Sequence, residues 1–191
     1  MKTIVLRSEK ELRIYSLPLR QRILKEMHLL GRAVTAKEIA DRLAITPSAA
    51  SHHLKQLMSI GIVEPDHVQV VRGIQARYLR LAEVTVSIGQ QYADTLAPLK
   101  DELVKSGLMS ALNGFMRTVE KNRGRPDVHH ENRLNDILSG IVHLTPADAD
   151  AFYHMVLSFL DSHTSAGPDT RPWEVVLLAY RMDIAGKEDR E

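Results

Sequence analysis

Ser48, Ser51, His52 and Lys55 fall at i, i+3, i+4 and i+7, a spacing that sets two hydroxyls, an imidazole and an ammonium on one side of a helix, with Gln56 beside them. The hydroxyls are short and sit near the N-terminal end of that helix. Such an end can sink into a DNA major groove, where Ser, His, Lys and Gln meet base edges or phosphate oxygens. Ala50, Leu54 and Leu57 form the opposite stripe at i, i+4 and i+7, and must pack on something else. A soluble amphipathic helix shares this pattern, so the surrounding elements decide between the two readings.

Those elements are a helix pair and a hairpin. Thr35 and Glu38 have the spacing of a capping box opening a short helix from about Ala36 to Leu43. Thr46 caps the next helix and Pro47 suits its first position, where a missing N–H costs nothing; that helix is predicted from Pro47 to about Ile60. Ile39, Leu43 and Ile45 are the apolar partners for its stripe, and Gly61 ends it. Ile62–Val71, the turn Arg72-Gly73-Ile74 and Gln75–Leu81 then read as strand, turn, strand. Along the second strand Tyr78 and Arg80 share one face, and Arg77, Leu79 and Leu81 the other. A guanidinium at the hairpin tip, Arg72, can reach a phosphate or the adjacent minor groove.

The run Thr-Ala-Lys-Glu-Ile-Ala (35–40), Ser-Ala-Ala-Ser-His-His-Leu-Lys-Gln-Leu (48–57), Gly-Ile-Val-Glu (61–64) and the Arg-Gly hairpin resembles the ArsR-like winged helix-turn-helix repressors. The resemblance covers roughly Leu12 to Leu81 and includes Leu17-Pro-Leu-Arg-Gln-Arg-Ile-Leu24, similar to the first core helix of that family. It implies that Ser48, Ser51, His52 and Lys55 face DNA and that Arg72 serves the wing. The family's cysteine-based metal-sensing motif is absent, because the chain has no cysteine. Asp127-Val-His129-His130-Glu131 begins like the carboxylate–histidine site of some ArsR-like proteins, but His143 lies too far along and Pro146 stands one turn later where an acid is needed. No metal and no cofactor is expected.

Charge divides the chain in the same way. Residues 1–82 hold 14 Lys+Arg against 7 Asp+Glu, and residues 83–191 hold 11 against 17. A basic front and an acidic back are expected of a DNA-binding domain, 1–82, joined to one that stays off the DNA, 83–191. Gly-rich phosphate loops, His-Glu-x-x-His, Gly-x-Ser-x-Gly and a cysteine nucleophile are all missing, so the chain reads as a non-enzyme. No apolar run approaches the ~20 residues of a membrane span, and Met1–Leu6 is followed by Arg7, Glu9 and Lys10 before a signal-peptide core could form. A cytoplasmic protein without membrane contact is expected.

Lys2 to Arg7 alternates like a short strand, and Val84, Val86 and Ile88 extend the wing or bridge to the back half. Leu12 and Tyr15 lie on a helix opened by Ser8, and Leu19, Ile23, Leu24, Met27 and Leu30 on one begun by Pro18. Behind Pro98, a long apolar face from Leu99 to Val119 is interrupted at Ser106-Gly107, which predicts a kink or two helices. Ile137–Leu144 and Glu174–Met182 read as buried strands around a helix capped by Thr145. The fold class is therefore α+β and helix-rich: a winged helix-turn-helix, then a helix and a strand-helix-strand region for dimerisation and effector binding. Met109, Phe115, Met116, Phe152, Met155, Phe159 and Trp173 fill its core or line a pocket for an apolar small molecule.

The expected function is a sequence-specific transcriptional regulator, a homodimeric repressor on double-stranded DNA. Ser48, Ser51, His52, Lys55 and Gln56 would read sequence, and Arg72 and Arg77 would hold phosphates. Its alternative is a winged-helix module whose polar helix docks a protein, since fold alone does not fix function.

Overall fold

The computed structural model describes residues 2–71, 73–88, 95–124, 136–164 and 167–181. In chain order the elements are β1 (Lys2–Val5), α1 (Glu9–Ser16), α2 (Pro18–Leu30), β2 (Val34–Thr35), α3 (Ala36–Leu43), α4 (Pro47–Ser59), β3 (Val63–Val71), β4 (Ile74–Leu81), β5 (Val84–Ser87), α5 (Ala97–Asn122) and α6 (Pro146–Asp161). The mixture of helices and strands is α+β, as expected. Two units emerge, residues 1–104 with 139–172 and residues 105–138 with 173–191.

Side-chain caps set the helix starts in the first 60 residues. Ser8 and Glu11 complete a reciprocal capping box, each accepting from the other's backbone N–H at 3.2 and 2.9 Å. At α3 only half of the expected box forms. Thr35 Oγ1 accepts from Glu38 N–H at 3.1 Å, but the Glu38 carboxylate is taken by the Arg32 guanidinium. A charge-assisted pair competes well against a single backbone donor, and Thr35 is itself strand residue β2, paired with Tyr78. Thr46 caps α4 through Ala49 N–H at 3.2 Å, with Pro47 in the first turn.

Two small sheets flank these helices. β4 is the centre of the order β2-β4-β3, antiparallel to both neighbours, with an irregularity between Pro65 and Val68. Proline has no N–H to give the ladder, which accounts for the break at that point. β1 runs parallel to β5, with Lys2 opposite Val84 and Val5 opposite Ser87, so the first alternating segment does pair downstream. The core beneath is continuous. Ile23, Met27, Val34, Ile39, Leu54, Leu57 and Val63 are fully buried, joining α2, α3, α4 and the wing sheet. Each aliphatic side chain so buried contributes about 1.5–3 kcal/mol.

The back half departs from expectation in three places. α5 is one continuous 26-residue helix through Ser106-Gly107, so the two-helix alternative does not hold. A single glycine weakens a helix by about 1 kcal/mol and does not break it when neighbouring turns continue the ladder. Ile137–Leu144 and 174–181 are not strands; they carry no strand hydrogen bonds and their side chains are exposed, while Met182 lies outside the described residues. Apolar, β-branched composition states what a segment does once a neighbouring backbone pairs with it, and no described strand lies beside either one. Nor do the Met and aromatic residues form a buried core among the described residues: Met109, Met116, Phe152, Met155, Phe159 and Trp173 are exposed and Phe115 is half-buried. No described helix is long and apolar enough to cross a membrane.

Candidate nucleic-acid interface

α4 presents its two faces as its spacing demands. Ala50, Leu54 and Leu57 are fully buried, against a cluster that includes Ile39, Leu43 and half-buried Ile45. That packing fixes the helix rotation. Ser48, His52 and Lys55 are consequently exposed on the far side, and Ser51 is half-buried between them. No described residue holds the Lys55 ammonium in an ion pair, so its charge is available to an external anion. Gln56, also half-buried, lines an open cleft of about 520 Å³ with Lys10, Arg13 and Arg20.

The turn before α4 is tight. Ala44 closes α3 in the left-handed region at φ 53°, its N–H donating to Ala40 O, and Ile45 N–H also donates to Ala40 O at 3.0 Å. Gly61, at φ 75°, turns the chain from α4 into the wing, and a Cβ there would meet Ile4 Cδ1 at 3.2 Å. Ion pairs hold α3 in place: Arg42 Nε reaches Glu26 of α2 at 2.7 Å.

On the wing, Arg77 is exposed and makes no ion pair with a described residue. Arg72 lies outside the described residues. Arg80 is engaged within the hairpin, with Glu64 at 2.6 Å and Asp66 at 3.5 Å, and Tyr78 stacks on His67 with ring centroids 4.3 Å apart. The alternation read from sequence holds in these partners, since Tyr78 and Arg80 meet β3 residues while Leu79 and Leu81 pack on the core. Asp127, His129, His130 and Glu131 are also outside the described residues; among those described, no group of three or more His, Asp or Glu is gathered for a metal.

Three side chains that brace the helices around α4 escaped the sequence reading. Arg20 is buried and donates from one terminal nitrogen to Ile14 O at 2.9 Å and Arg13 O at 3.3 Å, satisfying carbonyls at the end of α1. Gln21 does the same for Tyr15 O at 2.6 Å. His53 lies on the buried side of α4, where burial first, then the charges of Arg20 and His52, hold its pKa below the ordinary imidazole value. The signal was present: Arg20 shares the stripe of Ile23, Leu24 and Met27, and His53 that of Ala50 and Leu57.

A capped helix pair, the second helix with an open polar face, and a three-stranded sheet ending in a hairpin make up a helix-turn-helix with a wing. Residues 15–66 match the family model described as a helix-turn-helix domain, a span that includes α2, α3 and α4 and enters β3. No curated protein matches the chain.

Proposed function

We propose that the chain is a sequence-specific DNA-binding transcriptional regulator acting as a homodimeric, ArsR-like repressor. The observation that carries this is the outer face of α4, where exposed Ser48, His52 and Lys55 stand on a helix locked from behind by Leu54 and Leu57. Ser48, Ser51, His52, Lys55 and Gln56 read base edges in the major groove, and Arg72 and Arg77 hold phosphates from the wing. The excess of Lys and Arg in residues 1–82 supports the same reading. Residues 1–82 are the DNA-binding domain; residues 83–191 pair two copies and receive a small-molecule signal. The protein works in the cytoplasm, and its chemistry is reversible occupancy of DNA, not catalysis.

Selection of bound fragments from random duplex DNA by the purified chain tests this. An enriched inverted repeat with half-sites about 10 base pairs apart is the expected result. No enrichment, together with capture of a protein through the α4 face, would replace the regulator with a protein-docking module.

A further inference from the structure

α6 is a helix without a core. None of its residues is buried. Asp150, His154, Ser158 and Asp161 gather on one narrow strip, and most of the remaining circumference is apolar. A helix apolar over so wide an arc belongs inside a structure, and in proteins a helix draws most of its stability from packing such a face.

The segments flanking it share the problem. Leu138 is 91% exposed and Ile141 74%. From Val175 to Tyr180 every side chain is apolar or aromatic, on both faces of what would be a strand, which is the pattern of a strand covered on both sides. Sixteen large apolar side chains between Ile137 and Tyr180 are exposed. Eight of them lie in residues 139–172, and at roughly 100 Å² each those eight amount to on the order of 800 Å², about what one partner covers in a stable interface and more than the about 300–600 Å² of the largest patch on a typical monomer.

We propose that residues 136–164 and 167–181 fold by association with a second copy of this chain, α6 burying its apolar arc on its partner and residues 175–180 becoming a paired strand only in the dimer. A second copy fits because it supplies an equal apolar area and, in residues 175–180, an identical backbone without a strand partner among the described residues, about a symmetry axis. A lipid surface fits poorly, since α6 carries Asp148, Asp150 and Asp161 and no Lys or Arg, where a helix lying on a membrane carries Lys and Arg. The inference deepens the dimeric reading above, but its test uses no DNA, so it stands or falls separately from DNA recognition.

The full chain is studied by sedimentation equilibrium and by hydrogen exchange, alone and with Leu178→Asp or Met155→Asp. The wild type is expected to be a dimer with protected amides in 175–180. Each substitution is expected to weaken the dimer by roughly 100-fold, the scale of a buried interface anchor, and to release those amides while the amides of α4 stay protected. A monomeric wild type overturns the proposal. So does a dimer that neither substitution weakens, or protection of 175–180 that persists in a monomer, which would mean pairing within one chain.

Discussion

The Arg20 guanidinium of α2 presses its charge on the His53 imidazole of α4, and each side chain keeps one buried nitrogen, Nε and Nδ1, without a hydrogen-bond partner among the described residues. A second positive charge at His53 is therefore opposed by burial and by Arg20 together. Burial and the Arg20 charge thus favour the neutral imidazole at this point of α4.

The sign of the pH dependence follows. His53 has a folded-state pKa below the unfolded value of about 6.5, so the unfolded chain binds the proton more readily. Its contribution to stability is whole above that value and is lost as pH falls through the window down to the depressed folded pKa. Urea midpoints measured from pH 7.5 down to pH 5 are expected to fall, and His53→Gln, which cannot titrate, is expected to flatten that fall. An equal fall in wild type and variant would remove His53 from the account.

Arg20→Met keeps the length of the side chain near the core and removes the donors to Ile14 O and Arg13 O. A loss of about 1–3 kcal/mol is expected, the range for leaving buried carbonyls unsatisfied. Chemical denaturation followed by far-UV circular dichroism measures it; an unchanged midpoint would contradict the role given to Arg20 at the α1–α2 corner.

Ala44 and Gly61 occupy the same left-handed region with opposite expectations. Ala44→Gly relieves a Cβ at φ 53° and is expected to stabilise by up to about 1 kcal/mol. Gly61→Ala adds a Cβ at φ 75°, 3.2 Å from Ile4 Cδ1, and is expected to destabilise by at least about 1 kcal/mol. Thermal midpoints of the two variants should move apart on either side of the wild type.

Neighbouring residues on α4 separate fold from function. Leu54 is fully buried, and Leu54→Ala is expected to cost about 2–5 kcal/mol of stability through the lost transfer energy and the cavity left behind. Lys55→Ala is expected to leave stability within about 0.5 kcal/mol of wild type and to weaken DNA binding. If Lys55 touches a base, preference relaxes at one position; equal losses on selected and random duplex would make it a phosphate contact only.

The front of the molecule was legible because its signals are local. Caps at Ser8, Thr35 and Thr46, proline at 18 and 47, glycine at 61 and the Ala50-Leu54-Leu57 stripe each act within one or two turns, and each is found where its spacing put it. What escaped was the partner of a side chain. Glu38 has the spacing for Thr35 and bonds Arg32, six residues upstream, because the tertiary approach offers a full charge. The back half was less legible for a different reason. Ile137–Leu144 and 174–181 have strand composition, but strand is a property of a pair, and the second member is not written in the segment itself.

The most direct test of DNA recognition is the salt dependence of binding to a selected duplex, for the wild type and for Arg77→Ala. A dimer that neutralises about 6 to 10 phosphates gives a slope of log K against log salt of roughly −5 to −9, and removing one phosphate contact from each copy makes it shallower by about 2. A slope near zero, or no preference for any duplex over random DNA, would contradict the account and leave the open face of α4 to a protein partner.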